Sequence, residues 1–308
     1  MREFYPQVKP RVWGGTKLRE WFPKAPDDQL IGEAWLLSDH PSGRTIDVEG
    51  RPITGENDPN RWFPVLIKVL HANADLSVQV HPDDQLAAEK GDRGKTEGWL
   101  ILEAKEGAKI CYGHHFATRE EMKQAIENGK ITSGLRYLEV HPDEFYPVPP
   151  GTVHALGAGL IVLEVQQASD LTYRLYDYDR LENGKPRQLH VDDGVLASSF
   201  PQQVESAECG VPDALTEWLM EPVTGAVLYD RQPYFEFAGM IVEGQWENQL
   251  RQGFSLVIIA LEGDVRPLGS LDTQMPFRTW LYGDAEKIEL TGHGKVALVA
   301  VPTQTHIK

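Results

Sequence analysis

Short hydrophobic runs, interrupted by glycine and proline, fill most of the chain. In the first half, six runs have the length and composition of strands: LSVQVHP, GWLILEA, AKICYG, EFYPVPPG, GLIVLEVQQ and LTYRLYDY. The second half adds YFEFAGMIVEG, FSLVIIALEGDVR, KIEL and KVALVAVP. Runs that repeat about every ten residues, with turn residues between them, predict an antiparallel β-sandwich or barrel.

Three segments follow a helical pattern instead. TREEMKQAIENGK begins with Thr118 as a predicted N-cap and has Glu121 three residues later, which is a capping-box arrangement. The other candidate helices, DDGVLASSF and PDALTEWLM, lie between the two strand-rich halves and would link them. We therefore predict two domains: residues 1–195, with a short helical insertion near 117–135, and residues 196–308.

Composition and charge narrow the class of protein. With 308 residues, 41% of them hydrophobic and 25% charged, the chain has an ordinary globular composition. A formal net charge of −16 argues against nucleic acid or a membrane surface as a partner, although a local basic pocket can still hold a small anion. The first residues lack the apolar core of a signal peptide, and LVIIAL is too short to span a bilayer, so we expect a cytoplasmic location.

The stretch VQVHPDD suggests metal chemistry. On a strand, Gln79 and His81 point to the same face, and Pro82 suits the end of that strand. Glu97 follows in KTEGWLIL, and His154 follows a Pro-Gly turn in PPGTVHALG. Two imidazoles, a carboxylate and an amide oxygen suit a borderline divalent metal such as zinc. Spacing alone leaves open the alternative of structural histidines and an ordinary surface acid.

The remaining histidines carry weaker patterns. His114 and His115 follow CYG, where we expect a solvent-facing turn. Glu139 and His141, in LEVHPDEF, superficially copy the earlier motif, but no glutamine precedes the histidine at the required spacing. We expect no metal at this second pair.

Four ordered segments, SVQVHPDD, GKTEGWLIL, VPPGTVHAL and VQQASDLTYRLYDYDR, together resemble type I phosphomannose isomerase in its short bacterial form. RVWGGTKL and LIKVLHANADLS resemble the N-terminal part of that family. The resemblance implies two cupin, or jelly-roll, β-barrels and one zinc ion per chain. It also implies that the zinc is held by Gln79, His81, Glu97 and His154.

The family reaction implied by this resemblance interconverts mannose 6-phosphate and fructose 6-phosphate. Moving a proton between C1 and C2 through an enediol or enediolate needs an acid–base group and a stabilised oxyanion. Residues at the family's catalytic positions are Lys95, Glu164, Asp170 and Arg174. Residues at the phosphate end are Ser77, Lys68 and Arg180, whose hydroxyl and cationic groups suit phosphate oxygens. The proton carrier stays open between Asp170, Glu164, Lys95 and a zinc-bound water.

The chain also departs from the longer family members. It lacks most of their helical domain, and the second half, around ALEGDVRP, has no histidine or glutamate at ligand spacing. We interpret that half as a degenerate second barrel without metal. Two alternatives stay open: a cupin metalloenzyme of other chemistry, and a non-catalytic sugar-phosphate-binding protein. For the isomerase that the resemblance implies, the expected partner is a small sugar phosphate, and the expected state is a monomer or homodimer.

Overall fold

Strands dominate the computed structural model, which describes residues 1–22, 28–201, 226–250, 252–270, 275–283 and 285–302. The predicted mainly β architecture is therefore confirmed. The predicted helix PDALTEWLM lies outside the described residues.

The strands are numbered in chain order. Those before residue 140 are β1 (Arg2–Tyr5), β2 (Gln7–Gly15), β3 (Ile31–Leu37), β4 (Ile46–Asp47), β5 (Val65–Ala72), β6 (Val78–Val80), β7 (Glu97–Ala104), β8 (Lys109–His114) and β9 (Leu135–Glu139). Those after it are β10 (Phe145–Val148), β11 (His154–Leu156), β12 (Leu160–Gln167), β13 (Tyr173–Tyr176), β14 (Leu181–Glu182), β15 (Lys185–Pro186), β16 (Ala226–Arg231), β17 (Glu236–Gln249), β18 (Phe254–Ala260), β19 (Arg266–Pro267), β20 (Thr279–Tyr282) and β21 (Lys287–Pro302). The predicted strands KIEL and KVALVAVP form one continuous strand, β21.

The helices are short. They are α1 (Lys17–Trp21), α2 (Asp84–Ala88), α3 (Arg119–Glu127) and α4 (Val191–Ala197), with 3₁₀ turns at Pro59–Arg61 and Ile131–Gly134. The helices predicted in TREEMKQAIENGK and DDGVLASSF are confirmed as α3 and α4. In the described part of the chain, no helix is long and apolar enough to cross a membrane.

The described residues form two compact units. The central unit takes its residues from Val8–Ala34 and Lys68–Glu208, and the terminal unit from Met1–Gln7, Trp35–Ile67 and Cys209–Lys308. The terminal unit carries an eight-stranded sheet in the order β16-β17-β21-β18-β20-β1-β4, with β19 paired to β21. Each unit combines segments that are distant in sequence, and a boundary at residue 195 stays a prediction, as does the second barrel.

Two sheets make up most of the central unit. One has the order β10-β7-β12-β5-β3-β2, and the other has the order β13-β6-β11-β8-β9. Between them lies a buried core to which both sheets contribute. Its largest members include Trp13, Leu70, Trp99, Ile101, Ile110, Tyr112, Leu156 and Val162.

The five-stranded sheet has its other face covered by α3 and α4. The hydrophobic cluster beneath these helices includes Val78, Val80, Ala155, Tyr173 and Leu175 from the sheet. Side chains alternate along a strand, so the neighbours of these residues point to the opposite face. Gln79, His154 and Arg174 belong to that inner face, as the alternation in VQVHPDD predicts for Gln79.

Helix α3 has the predicted capping box. The Thr118 hydroxyl accepts a hydrogen bond of 3.2 Å from the Glu121 amide, and Glu121 Oε2 accepts one of 2.8 Å from the Ala117 amide. Met122 and Ile126 are buried on the sheet side of the helix. The cap satisfies amides that an isolated helix end leaves unbonded.

Replacing Thr118 with alanine is expected to lower the free energy of unfolding of the central unit by about 1 kcal/mol, because the side-chain cap is lost. Urea unfolding followed by circular dichroism measures the change. Thr118→Ser keeps the hydroxyl and is expected to stay close to the wild type. Equal stability of the alanine and serine variants would show that the cap contributes nothing.

Candidate metal centre and active site

Three potential metal ligands converge inside the central unit. Glu97 Oε1 lies 3.2 Å from His154 Nε2, and Glu97 Oε2 lies 3.5 Å from His81 Nε2. The three side chains are buried, and their ligand atoms lie within 4.8 Å of one another. His81 directly follows β6, Glu97 opens β7 and His154 opens β11, so both sheets contribute to the cluster.

Backbone carbonyls fix the orientation of both imidazoles. His81 Nδ1 lies 3.0 Å from the Leu171 carbonyl oxygen, and His154 Nδ1 lies 2.8 Å from that of Thr152. A carbonyl can only accept, so each Nδ1 carries the proton and each Nε2 presents a lone pair to the centre. A hydrogen bond of this kind, on the nitrogen away from the metal, is usual for histidine ligands.

Burial sets the charge state of the cluster. It lowers the pKa of His154 to about 4, and burial together with the Lys95 charge lowers that of His81 well below its usual value. Burial and the nearby Glu164 charge raise the pKa of Glu97 to about 7. Neutral imidazoles are the form that binds metals, and a positive ion at the centre would offset the cost of ionising Glu97.

The donor set fits a divalent cation. Glu97 Oε1 has no hydrogen-bond donor among the described residues, because the nitrogen facing it is the unprotonated Nε2 of His154. Buried acceptors that face one another are unfavourable unless a positive charge or a donor joins them. His81, Glu97 and His154 would hold such an ion, and two imidazoles with one carboxylate are a common zinc set that leaves a position for substrate.

Gln79, the fourth predicted ligand, is at the cluster. It pairs directly with His154 in the antiparallel β6–β11 register, and its Nε2 lies 3.3 Å from His154 Nε2. In this orientation the amide donates to the lone pair that a metal would take. Turning the amide over would present its oxygen instead.

Lys95 brings a positive charge to the same atoms. Its Nζ lies 3.1 Å from Glu97 Oε2 and 3.1 Å from His81 Nε2. Burial opposes this charge, but Glu97, Glu164 and Asp170 outweigh it and raise the pKa of Lys95. The ammonium is therefore protonated and forms one wall of the centre.

A cavity of about 540 Å³ opens beside the cluster, entirely within the central unit. Together with the predicted metal ligand Gln79, most of the residues predicted for catalysis and phosphate binding line it: Lys68, Ser77, Lys95, Glu164, Asp170 and Arg174. Its volume is within the range of about 300–1,000 Å³ that is usual for small-molecule sites. The structure thus brings together residues as distant in sequence as Lys68 and Arg174.

Glu164 is held at the cavity by two donors. Lys68 Nζ lies 3.2 Å from Oε1, and the Trp99 indole N–H donates to Oε2 over 3.1 Å. Burial raises the pKa of Glu164, but the Lys68 and Lys95 charges outweigh it and lower the pKa overall. Glu164 is therefore an ionised carboxylate in a fixed orientation, whereas Asp170 is exposed at the cavity rim.

Arg180, predicted at the phosphate end, does not join the lining of this cavity. Its guanidinium lies 2.6 Å from Asp177 Oδ1 and also donates to the Asp75 carbonyl, which turns it away. Arg187, which the sequence interpretation missed, lines the cavity instead. The Asn183–Gly184 pair was the available signal, because such a pair predicts a hairpin that returns the chain beside Arg180.

The other histidines with an expectation from the sequence, His114, His115 and His141, are not part of this cluster. The expectation of a solvent-facing His114 is wrong: this residue ends β8, is buried, and has its Nε2 3.2 Å from the Ser199 carbonyl oxygen. The strand continues past the glycine that suggested a turn, so the ring packs against the segment after α4. His115, Glu139 and His141 are exposed, and the second His-Pro motif forms no metal cluster among the described residues.

The sheets and the buried cluster define a class: a mainly β protein with a His₂Glu metal-site candidate beside a polar cavity. The family model for phosphomannose isomerase type I, catalytic domain, matches residues 1–106. Mannose-6-phosphate isomerase ManA of Bacillus subtilis is 40% identical, with 85% of this chain and 86% of the relative covered. The chain therefore belongs to the type I phosphomannose isomerase family, and the resemblance inferred from the motifs is confirmed.

Two further similar proteins are also named as mannose-6-phosphate isomerases. The probable mannose-6-phosphate isomerase GmuF of B. subtilis is 45% identical over 64% of this chain and 67% of that protein. The crystal structure of the mannose 6-phosphate isomerase from B. subtilis superposes with a TM-score of 0.82 at 30% identity, covering 97% of this chain and 98% of that one. The cupin fold expected from the resemblance fits this match.

Replacing His154 with alanine is expected to weaken divalent-metal binding by more than about 100-fold, since removing a group that merely orients a ligand already costs about 10- to 100-fold. Elemental analysis after dialysis against a weak chelator measures the metal retained. His141→Ala is the control, because it removes an imidazole that is exposed and outside the cluster. Equal metal content in both variants would contradict the proposed centre.

Proposed function

We propose that the chain is a zinc-dependent mannose-6-phosphate isomerase that forms fructose 6-phosphate through an enediol or enediolate. The observation that carries this proposal is the meeting of His81, Glu97 and His154 beside a cavity lined by cations and carboxylates. Membership of the phosphomannose isomerase family, and the activity named for ManA of B. subtilis, support the choice of substrate.

Zinc is the proposed ion because its usual catalytic sites combine histidine nitrogens with a glutamate oxygen. When bound, it supplies Lewis acidity towards the sugar oxygens and helps to orient them. Gln79 would complete the set through its amide oxygen. Oxyanion stabilisation and proton transfer are proposed for side chains of the protein itself.

Two cations are placed to stabilise negative charge that develops on the sugar oxygens. Lys95 is protonated and adjoins the cluster. Arg174 lies directly opposite Gln79 in the β6–β13 register, and its Nε has no partner among the described residues. Cross-strand neighbours have Cβ atoms about 5 Å apart, so Arg174 can reach an oxygen held at the cluster. Donors already fixed in place are the most effective kind of oxyanion stabilisation.

Glu164 is the proposed proton carrier between C1 and C2. It is ionised, buried and aimed by Trp99 and Lys68, so it can accept a proton without first losing one. Asp170, in contrast, is exposed at the rim of the cavity. A buried carboxylate in a defined orientation satisfies the geometric requirement for general-base catalysis better than an exposed one at the rim.

Purified protein is expected to form fructose 6-phosphate from mannose 6-phosphate, to lose this activity on chelation and to regain it with zinc. A coupled assay for fructose 6-phosphate measures the rate in the native, chelated and zinc-restored states. His81→Ala should stay inactive after zinc is added, while His141→Ala should behave as the wild type.

No product from fully zinc-loaded wild-type protein would refute the isomerase assignment. If that protein still binds mannose 6-phosphate in calorimetry, the chain is a binding protein on the same scaffold. Activity that survives complete metal removal would refute the zinc dependence alone.

Glu164→Gln is expected to lower kcat by about 10²- to 10⁴-fold, the usual contribution of a positioned acid–base group. Asp170→Asn should change kcat by less than about ten-fold, because its carboxylate lies at the rim. The coupled assay measures both, with zinc content determined for each variant. A larger loss in Asp170→Asn than in Glu164→Gln would move the proton-transfer role to Asp170.

A further inference from the structure

We propose that Arg187 binds the phosphate group of the substrate, together with Ser77, and that Arg180 pairs with Asp177 outside the cavity without contacting substrate. This inference rests on the proposed function, because it assigns the phosphate end of the same cavity. Arg187 lies in the segment NGKPRQLH, which follows the last of the motifs that resemble the family.

A tight hairpin places Arg187 at the cavity. Strands β14 and β15 pair Leu181 with Pro186, and both turn residues between them, Asn183 and Gly184, have positive φ values of 54° and 77°. Positive φ at both central positions defines the type I′ turn that an Asn–Gly pair favours. Because Leu181 and Pro186 are paired, the next residues outward, Arg180 and Arg187, come side by side.

One carboxylate holds both arginines. Asp177 Oδ2 accepts from Arg187 Nε over 2.7 Å, Oδ1 accepts from Arg187 Nη2 over 2.5 Å, and Oδ1 also accepts from Arg180 Nη2 over 2.6 Å. The two bonds to Arg187 use one edge of its guanidinium. The described residues give its Nη1 no partner, and the side chain lines the cavity.

This end of the cavity has more positive than negative charge. Arg174, Arg187 and Glu182 line the cavity here, and Asp177 pairs with both Arg187 and the adjacent Arg180, so three guanidiniums are close to two carboxylates. Burial and the neighbouring Arg187 charge lower the pKa of Arg174, which reports the same crowding of cations. A phosphate dianion would relieve this repulsion and use the unbonded guanidinium hydrogens.

Strand register sets the direction of the cavity. Val78 pairs with Tyr176 and Gln79 with Arg174, so Asp177, the residue after Tyr176, is at the Ser77 end of this strand pair. His81 lies beyond the other end of β6, at the metal cluster. Ser77 shares the inner face with Gln79, and its hydroxyl has no partner among the described residues. If the phosphate group of the substrate binds at Ser77 and Arg187, carbon atoms C1 and C2 of the sugar therefore face the metal cluster.

Lys68 is less suited to this role than the family resemblance implied. It is buried, and its ammonium lies 3.2 Å from Glu164, which it keeps ionised. We therefore assign Lys68 to the stabilisation of the Glu164 carboxylate and not to phosphate binding. Arg187 lines the cavity, and its guanidinium is already oriented by two hydrogen bonds to Asp177.

Arg187→Gln tests the inference, with Arg180→Gln as the matched control because both arginines share Asp177. Loss of charge-assisted bonds to phosphate is expected to raise KM for mannose 6-phosphate by about 10- to 100-fold in Arg187→Gln, with kcat within about three-fold of wild type. Arg180→Gln should stay within about three-fold in both constants. The inhibition constant of inorganic phosphate, used as a probe of the subsite, should rise by about ten-fold or more only in Arg187→Gln.

Several results would overturn the inference. They are an unchanged KM in Arg187→Gln, a larger increase in Arg180→Gln, or equal increases in both, which would indicate a shared structural effect through Asp177. Arg187→Lys keeps the charge and should recover part of the affinity for phosphate, whereas a fall in melting temperature without that recovery would show a structural role.

The failure of this inference is distinguishable from failure of the proposed function. If zinc-loaded wild-type protein does not isomerise mannose 6-phosphate, the proposed function fails, and calorimetric binding of inorganic phosphate to wild type, Arg187→Gln and Arg180→Gln decides the subsite alone. If the wild-type protein is active and the Arg187→Gln variant binds inorganic phosphate as tightly as the wild type, only the assignment of Arg187 fails.

Discussion

Three acceptors facing one another in the protein interior are the constraint on which the rest of the site depends. The Nε2 lone pairs of His81 and His154 point at the carboxylate of Glu97, because the Thr152 and Leu171 carbonyls occupy the opposite nitrogens. Such an arrangement is unfavourable in a low-dielectric interior unless positive charge lies within it. The Lys95 ammonium supplies part of that charge, and a divalent ion would supply more. The fold must hold these groups rigidly, and the two facing sheets do so by taking Glu97 from one and the histidines from the other.

Because side chains alternate along a strand, the inward-facing position of Gln79 can be predicted from the sequence. Val78 and Val80 pack beneath α3 and α4, so Gln79 must face inward, as the alternating pattern in VQVHPDD indicates. The capping box at Thr118 is equally local and equally predictable. These features depend on residues a few positions apart within one strand or helix, where the spacing in sequence determines the local geometry.

Long-range pairing could not be inferred from spacing. Nothing in the sequence alone sets His154 opposite Gln79, or Glu164 against Lys68 and Trp99, since these contacts depend on the sheet order. The family resemblance supplied the candidate residues, and the structure supplied their arrangement. His114 shows the opposite failure, because a glycine before it suggested a turn where the strand continues into a buried position. The hairpin at Asn183–Gly184 was a local signal, but its consequence for Arg187 depended on Asp177 as well.

The charge of the whole chain and the charge of the cavity act at different distances. A formal net charge of −16 disfavours extended anionic partners, since their many charges interact with the average field of the surface. A single phosphate interacts mainly with groups within a few ångströms, because more distant exposed charges are screened within about 8–10 Å by salt. Arg174 and Arg187 are neighbouring, partly buried cations that line the cavity, so their attraction for phosphate is screened less than that of fully exposed charges. A negative net charge is therefore compatible with a cavity that holds a single phosphate, and in the proposed function Arg174 and Arg187 would orient the sugar phosphate with its carbonyl end at the metal centre.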